Sequence, residues 1–173
     1  MKTLVVYSSL TGNTQKVAEA IFDILPEGKK LAKVEENPDC SEFDLICLGY
    51  WVDKGAPDAK MKRYMEHIKG KMIGLFGTLG AYPDSDHAKD CLQKAAELMA
   101  GNELLGSFIC QGKVDPKLLA AMAKMTEASK AHPMTPERAA RIEEAKKHPN
   151  AEDFAQAKAC FKQIVAKAQA TKA

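Results

Sequence analysis

Short apolar runs alternate with segments of helical periodicity along residues 1–112. The runs predict five β-strands, at residues 4–8, 30–34, 44–50, 71–76 and 105–111. The segments between them predict helices beginning near residues 14, 57 and 85, with Pro57 in the first turn of the second. Because this alternation is typical of βαβ units, we expect an α/β fold with a parallel sheet. Right-handed crossovers favour a three-layer α/β/α arrangement with strand order 2-1-3-4-5.

The pattern changes after Gly112, where no further strand is indicated. Three helices are predicted, beginning at the capping residues Asp115, Thr135 and Asn150. His-Pro pairs at 132–133 and 148–149 separate these helices. Five strands and one closing helix do not need so long a chain. We therefore expect a single domain of residues 1–173, in which residues 115–149 form an added helical segment before the last helix.

The composition is that of an ordinary globular protein, with 46% hydrophobic and 28% charged residues. No apolar run reaches the roughly 18 residues that a membrane span needs. The apolar stretch after Met1 is too short for a signal peptide and leads directly into a polar loop. These features predict a cytoplasmic protein that does not act in a membrane.

Cysteine and histidine spacing gives no sign of a metal site. The five cysteines are odd in number, and none forms a C-x-x-C pair, which argues against a zinc site or a thioredoxin-like motif. We expect them to be buried structural thiols. The four histidines lie far apart and have no metal-ligand spacing to a cysteine or carboxylate.

The net charge of +2 is too small to indicate a nucleic-acid partner. It is unevenly placed, because residues 1–114 hold 14 basic against 16 acidic side chains and residues 115–173 hold 11 against 7. The basic excess therefore belongs to the predicted helical tail, where a solvated face explains it.

The loop of residues 9–14 carries the clearest chemical signal. It consists of Ser9, Leu10, Thr11, Gly12, Asn13 and Thr14, directly after a predicted strand and directly before a predicted helix. Its N–H groups and hydroxyls therefore lie at a helix N-terminus, where anions are stabilised. It lacks the Gly-Lys-Ser/Thr of a Walker loop and the G-x-G-x-x-G of a dinucleotide site. With no Lys or Arg of its own, this phosphate loop suits a terminal monophosphate held by neutral donors.

Ser-x-Thr-Gly-Asn-Thr after a first strand resembles the FMN phosphate signature of the flavodoxin family. The resemblance covers residues 1–112 and the last helix, and it implies a flavodoxin-like fold that binds FMN. Residues 51–55 and 76–82 are similar to a flavodoxin branch of anaerobic bacteria, one group of which accompanies bilirubin reductases. A bilirubin reductase-type flavoenzyme is therefore an implied redox partner.

By position, the resemblance implies that two further loops bracket the flavin ring. One contains Trp51, Val52, Asp53, Lys54 and Gly55, and the other contains Thr78, Leu79, Gly80, Ala81 and Tyr82. Trp51 either contacts a face of the flavin or closes the core beneath its loop. Tyr82 is the candidate for the other face, unless Pro83 turns it outward.

Three residues near this implied ring have alternative interpretations. Gly55 either lets its peptide turn toward the flavin on reduction, as in flavodoxins, or is an ordinary turn glycine. Lys54 departs from the acidic surroundings typical of the family, and we expect it to favour a negatively charged reduced flavin. His87 is interpreted as a helix-surface residue rather than as a proton donor.

Three functions remain open at this point. The first is an electron carrier that exposes its flavin to a partner protein. The second is an FMN-dependent NAD(P)H oxidoreductase that acts on a quinone or another small molecule, and the third is a non-redox docking module. Fold alone cannot separate them. The added helices start at the flavin edge of the sheet, where they either cover the ring, form a docking surface or only stabilise the fold.

Overall fold

The computed structural model describes residues 1–129 and 135–172, with a central sheet between helices on both faces. The predicted His-Pro pair at 132–133 lies outside the described residues. In chain order the elements are β1 Thr3–Tyr7, α1 Asn13–Asp23, β2 Lys29–Lys33, a 3₁₀ turn Val34–Glu36, β3 Leu45–Asp53, β4 Ala56–Pro57, α2 Ala59–Met65, β5 Met72–Leu79, α3 Asp86–Leu98, β6 Glu103–Gln111, α4 Pro116–Ser129, α5 Pro136–Ala145 and α6 Ala151–Lys172.

The predicted sheet topology is confirmed. The five long strands pair in parallel in the order β2-β1-β3-β5-β6, which is the order 2-1-3-4-5 of the predicted strands. The two-residue strand β4 lies off this path and pairs antiparallel with the end of β3. The chain therefore has the α/β flavodoxin-like architecture, in which the carboxyl ends of the parallel strands form one edge.

The core is divided between the two faces of the sheet. Alternate residues of β1 point to opposite sides, so that Val5 packs in the cluster with α1 and α6, and Val6 in the cluster with α2 and α3. On the first face, Phe161 of α6 meets Phe76 of β5 edge to face, with ring centroids 5.7 Å apart.

Two predicted strand ends were wrong, since both strands run further toward the carboxyl edge. Strand β5 continues to Leu79, so that Gly77 and Thr78, which were predicted as loop, belong to the sheet. Gly77 fits there because a Cβ atom at this position would lie 2.9 Å from Cε2 of Tyr50. Strand β3 likewise extends to Asp53, which places Trp51 and its two successors in the strand.

The predicted place of Pro57 was also wrong. Pro57 pairs with Val52 of β3 rather than opening a helix. Helix α2 begins two residues later, capped by Asp58, whose Oδ1 accepts hydrogen bonds from the N–H groups of Lys60 and Met61. Ser8 Oγ donates to the same oxygen at 2.8 Å, so a buried carboxylate joins the end of β1 to the start of α2.

All five cysteines are free thiols, and Cys47, Cys91 and Cys110 are buried as predicted, whereas Cys40 and Cys160 are only partly buried. Burial raises the pKa of Cys47 and of Cys110 well above the usual thiol range. Both thiols therefore stay protonated and act as small apolar side chains.

Within the described residues, no helix is long and apolar enough to cross a bilayer.

Helices α4 and α5 of the added segment lie between β6 and α6 in the chain, as predicted. The two ends of this insertion are adjacent, since the N–H of Lys113 donates to the carbonyl of His148 at 3.0 Å. Asn13 Nδ2 donates to the carbonyl of Lys113 at 2.8 Å, and Gln111 Nε2 to that of Arg141 at 3.3 Å. These bonds connect the insertion to the phosphate loop and to the end of β6.

Candidate functional site

A cavity of about 460 Å³ opens at the carboxyl edge of the sheet. This edge cavity has the size of a site for a small molecule or cofactor. Ten of the sixteen predicted site residues line it: Leu10, Thr11, Asn13, Thr14, Trp51, Val52, Thr78, Leu79, Gly80 and Ala81. Three chain stretches that are far apart in sequence therefore meet around one volume. The other six predicted residues, Ser9, Gly12, Asp53, Lys54, Gly55 and Tyr82, lie outside this lining.

Ser9 and Gly12 fix the backbone conformation of the phosphate loop. Ser9 Oγ accepts hydrogen bonds from the N–H of Gly12 at 3.1 Å and from that of Gln15 at 3.3 Å. Gly12 precedes α1 with φ 88°, in the left-handed region that favours glycine. The loop therefore turns sharply into the helix at Gly12.

Thr11, Asn13 and Thr14, at and just before the start of α1, all line the edge cavity. The N–H groups of Thr11, Asn13 and Thr14 have no hydrogen-bond partner in the part of the chain that the structure describes. The first N–H groups of a helix have no partner within the helix, and its dipole adds positive potential there. This end of the edge cavity is therefore suited to an anionic oxygen.

A pair of buried hydroxyls closes the bottom of the same end. Thr14 Oγ1 lies 2.9 Å from Thr78 Oγ1, and both residues are almost fully buried. Either oxygen can donate to the other, so one hydroxyl proton of the pair remains to donate elsewhere. The sequence placed Thr78 in a loop, but its position in β5 is what brings it to the phosphate loop.

Trp51 also lines the edge cavity. It lies in β3 beside Thr78 of β5, and its side chain is partly buried. Its backbone carbonyl accepts a hydrogen bond from the N–H of Asp58, the residue that caps α2. The indole is thus held on a rigid strand, which makes it a flat apolar surface for a planar ligand. Tyr82, by contrast, is 40% exposed and is not among the lining residues.

Lys54 and Gly55 form a tight turn between β3 and β4. Their φ angles are 49° and 78°, as in the two-residue hairpin turn that requires positive φ at both positions. A Cβ atom on Gly55 would lie 3.5 Å from Nζ of Lys94 and 3.6 Å from Cε1 of His87. The turn therefore packs against α3, and His87, which is exposed, also lines the edge cavity.

The added segment and the residues just before it complete the lining. None of these residues was among the predicted site residues: Gly112, Lys113, Val114, Asp115, Leu118, Leu119, Arg138, Arg141 and Ile142. Four of them are apolar, four are charged, among them Arg138 and Arg141, and one is glycine. The predicted position of the insertion at the flavin edge was the one sequence signal for them. Within the described ranges, no group of three His, Cys, Asp or Glu side chains is placed to hold a metal ion.

The sequence is similar to known proteins over nearly its whole length. The family model described as flavodoxin domain matches residues 4–162. A flavodoxin-like domain-containing protein BilS from Clostridioides difficile strain CD3 is 38% identical over 173 residues, which cover 97% of this chain and 98% of that protein. The match therefore extends through the added segment.

Two solved structures resemble the fold. Oxidised flavodoxin 2 from Bacillus cereus is 17% identical with a TM-score of 0.61, covering 96% of this chain and 99% of that one. A flavoprotein in complex with FMN from Lactobacillus acidophilus NCFM is 21% identical with a TM-score of 0.50, covering 62% of this chain and 92% of that one. At such identities the likeness shows the fold alone.

Proposed function

Because this chain belongs to the flavodoxin domain family, we propose that it binds FMN in the edge cavity and passes electrons to a partner reductase. When bound, FMN supplies one-electron and two-electron redox chemistry. The protein's own residues bind the nucleotide, orient its ring and limit the access of water.

The start of α1 is the observation that carries the proposal. Thr11, Asn13 and Thr14 present N–H groups without a partner among the described residues, at the positive end of a helix. A ligand phosphate satisfies these donors together, and the Thr14–Thr78 hydroxyl pair can add a further donor. A monophosphate nucleotide fits this end of the cavity better than a neutral ligand does.

The rest of the lining suits a planar aromatic ring. Trp51 and Val52 of β3 line the cavity together with residues 78–81 at the end of β5. Leu118, Leu119 and Ile142 of the added segment contribute further apolar side chains to the lining. Such a surface excludes water from a ring, which strengthens every electrostatic interaction with it.

The carrier role is supported by the small number of acid–base groups at this site. Among the described lining side chains, His87 is the one imidazole, and it is exposed. A self-contained oxidoreductase usually positions an acid or base at its substrate. Electron transfer between proteins needs instead a ring edge that a partner can approach.

The partner is proposed from the resemblance of residues 51–55 and 76–82 to the branch that accompanies bilirubin reductases. We propose a bilirubin reductase-type flavoenzyme in the cytoplasm. Leu10 and Leu118, which both line the edge cavity, are 57% and 46% exposed and provide apolar surface at its mouth. A redox partner that docks there reaches the nucleotide over a short distance.

The test is a visible spectrum of the purified protein, loaded with FMN and photoreduced stepwise without a nicotinamide cofactor. We expect a yellow complex that passes through a one-electron-reduced species and then reduces the partner flavoenzyme. Direct two-electron bleaching by NAD(P)H supports an oxidoreductase instead. A protein that cannot be loaded with FMN contradicts both redox functions and leaves the docking module.

A further inference from the structure

Arg141 of α5 has an unusual environment. Its side chain lines the edge cavity, and its Nε is buried without a hydrogen-bond partner among the described residues. In the described part of the chain, no carboxylate forms an ion pair with its guanidinium. A buried N–H of a charged group without a partner costs free energy. Buried polar groups in folded proteins are rarely left so, and an exception calls for an explanation.

The phosphate loop in the same cavity lacks a positively charged side chain. Its donors are neutral N–H groups and hydroxyls, and it contains no Lys or Arg. A phosphate monoester carries close to two negative charges near pH 7. Neutral donors stabilise that charge only in part, whereas a guanidinium binds it through strong charge-assisted hydrogen bonds. The cavity therefore combines a site for an anion with a cation that lacks a partner.

We propose that Arg141, carried by the added segment, supplies the positive charge for an anionic oxygen of the nucleotide bound in the edge cavity. This inference rests on the proposed FMN binding. The oxygen belongs either to the phosphate, which is anionic in every redox state, or to the ring, which is anionic only after reduction. The shared chemistry is a guanidinium paired with an anionic oxygen.

The pairing also couples the ligand to the position of α5. The carbonyl of Arg141 accepts a hydrogen bond from Gln111 Nε2, which also donates to the carbonyl of Gly80 at 3.3 Å. Arg141 is thus held beside the end of β5, and its backbone is connected to the base of the site. A ligand that pairs with its side chain stabilises the added segment by mass action.

The experiment measures the dissociation constants of FMN and riboflavin, in oxidised and reduced form, for wild type and three variants. Arg141→Gln removes the charge, Arg141→Lys keeps it, and Arg63→Gln is a matched control on an exposed position of α2. We expect Arg141→Gln to weaken FMN about tenfold to a hundredfold in at least one redox state. Arg141→Lys should recover part of that loss, and Arg63→Gln should change nothing.

The two sources of the oxygen give different patterns. If it belongs to the phosphate, Arg141→Gln weakens FMN in both redox states and leaves riboflavin unchanged. If it belongs to the ring, the variant weakens the reduced form of both ligands and spares the oxidised form. Either pattern supports the proposal.

Thermal unfolding of the apoprotein separates ligand binding from a structural role. Arg141→Gln removes an unpartnered guanidinium, so the apoprotein should be at least as stable as wild type. A loss of stability equal in apo and FMN-bound protein, or unchanged affinities in both redox states, overturns the proposal for Arg141. Wild-type protein that binds no FMN at all contradicts the proposed function itself.

Discussion

The body of the molecule, residues 1–112 with α6, and the added segment, residues 115–149, are stabilised in different ways. Every residue of β5 is buried, and α6 places Phe161 and its neighbours in the core. In α5 the one buried residue is Ala145, and Leu118 of α4 is 46% exposed. The body thus has its own hydrophobic core, whereas the described part of the segment contacts it through cavity-lining side chains and a few hydrogen bonds.

The two regions therefore contribute differently: the body forms the fold, and the added segment contributes to the lining of the edge cavity. The body contains the whole sheet and the phosphate loop. The segment adds apolar cover and positive charge to the edge cavity without enlarging the core. An insertion of this kind changes what the site binds or exposes while the fold stays the same.

The largest expected effect is on the body. Phe161→Ala removes a fully buried ring that meets Phe76 edge to face, and it leaves a cavity between α6 and the sheet. We expect the free energy of unfolding of the apoprotein to fall by about 3–5 kcal/mol in urea denaturation. The matched substitution in the segment, Leu118→Ala, should cost much less, and an equal cost would contradict the contrast between the two regions.

The next effect concerns the whole segment. Because Lys113 and His148 are adjacent, residues 114–147 can be replaced by a short Gly-Ser linker. The body should remain folded, with its free energy of unfolding within about 1 kcal/mol of wild type, since its core is untouched. FMN affinity should fall about tenfold or more, because the apolar cover and Arg141 are lost.

Two results of this excision would contradict these expectations. If the shortened chain does not fold, the body does not have an independent core. If it folds and binds FMN as tightly as wild type does, the segment is not part of the ligand site. Circular dichroism and flavin fluorescence measure the two properties on the same sample.

A smaller effect is expected from the charge that the body itself places near the cavity. Lys54 lies at the tip of the β3–β4 turn and is exposed, so solvent screens its charge. Lys54→Gln should lower the potential of the couple that forms the fully reduced flavin by roughly a few tens of millivolts at low salt. Lys30→Gln, an exposed position of β2, is the control, and an equal shift in both variants would remove Lys54 from the account.

The smallest effect concerns the hydrogen bonds that hold the segment's end. Burial disfavours the charged form of His148, but its bonds with Asp153 and Glu144 outweigh this and raise its pKa above the usual 6.5. A raised pKa in the folded state means that protonated His148 contributes stability below the unfolded pKa and loses it as the pH rises through the folded pKa. The stability of wild type relative to His148→Gln should therefore decline between about pH 6 and 8, by less than about 1 kcal/mol.

Much of the body could be predicted from sequence because its signals are local. Apolar runs and capping residues gave the strands, their order and the phosphate loop. The end of β5 was missed for a tertiary reason: Gly77 lies under the ring of Tyr50, and Thr78 pairs with Thr14. The end of β3 was missed with it, because Trp51 of β3 pairs with Thr78. Gly77 and Thr78 follow the apolar run and are not apolar themselves, so the hydrophobic pattern does not assign them to the strand.

The contribution of the added segment to the site could not be predicted residue by residue. Its helices were found from their caps, but which of their faces lines the edge cavity depends on long-range contacts. Asn13 reaches the carbonyl of Lys113, one hundred positions away, and Gln111 reaches that of Arg141. Spacing within a helix does not report contacts of that range.

We propose that the edge cavity binds FMN with its phosphate at the start of α1, and a crystal structure of the FMN-loaded protein is the test of that placement. We expect a phosphate oxygen within hydrogen-bond distance of the N–H groups of Thr11, Asn13 and Thr14, with the ring against Trp51. A phosphate bound elsewhere, or an edge cavity that stays empty at saturating FMN, would contradict it.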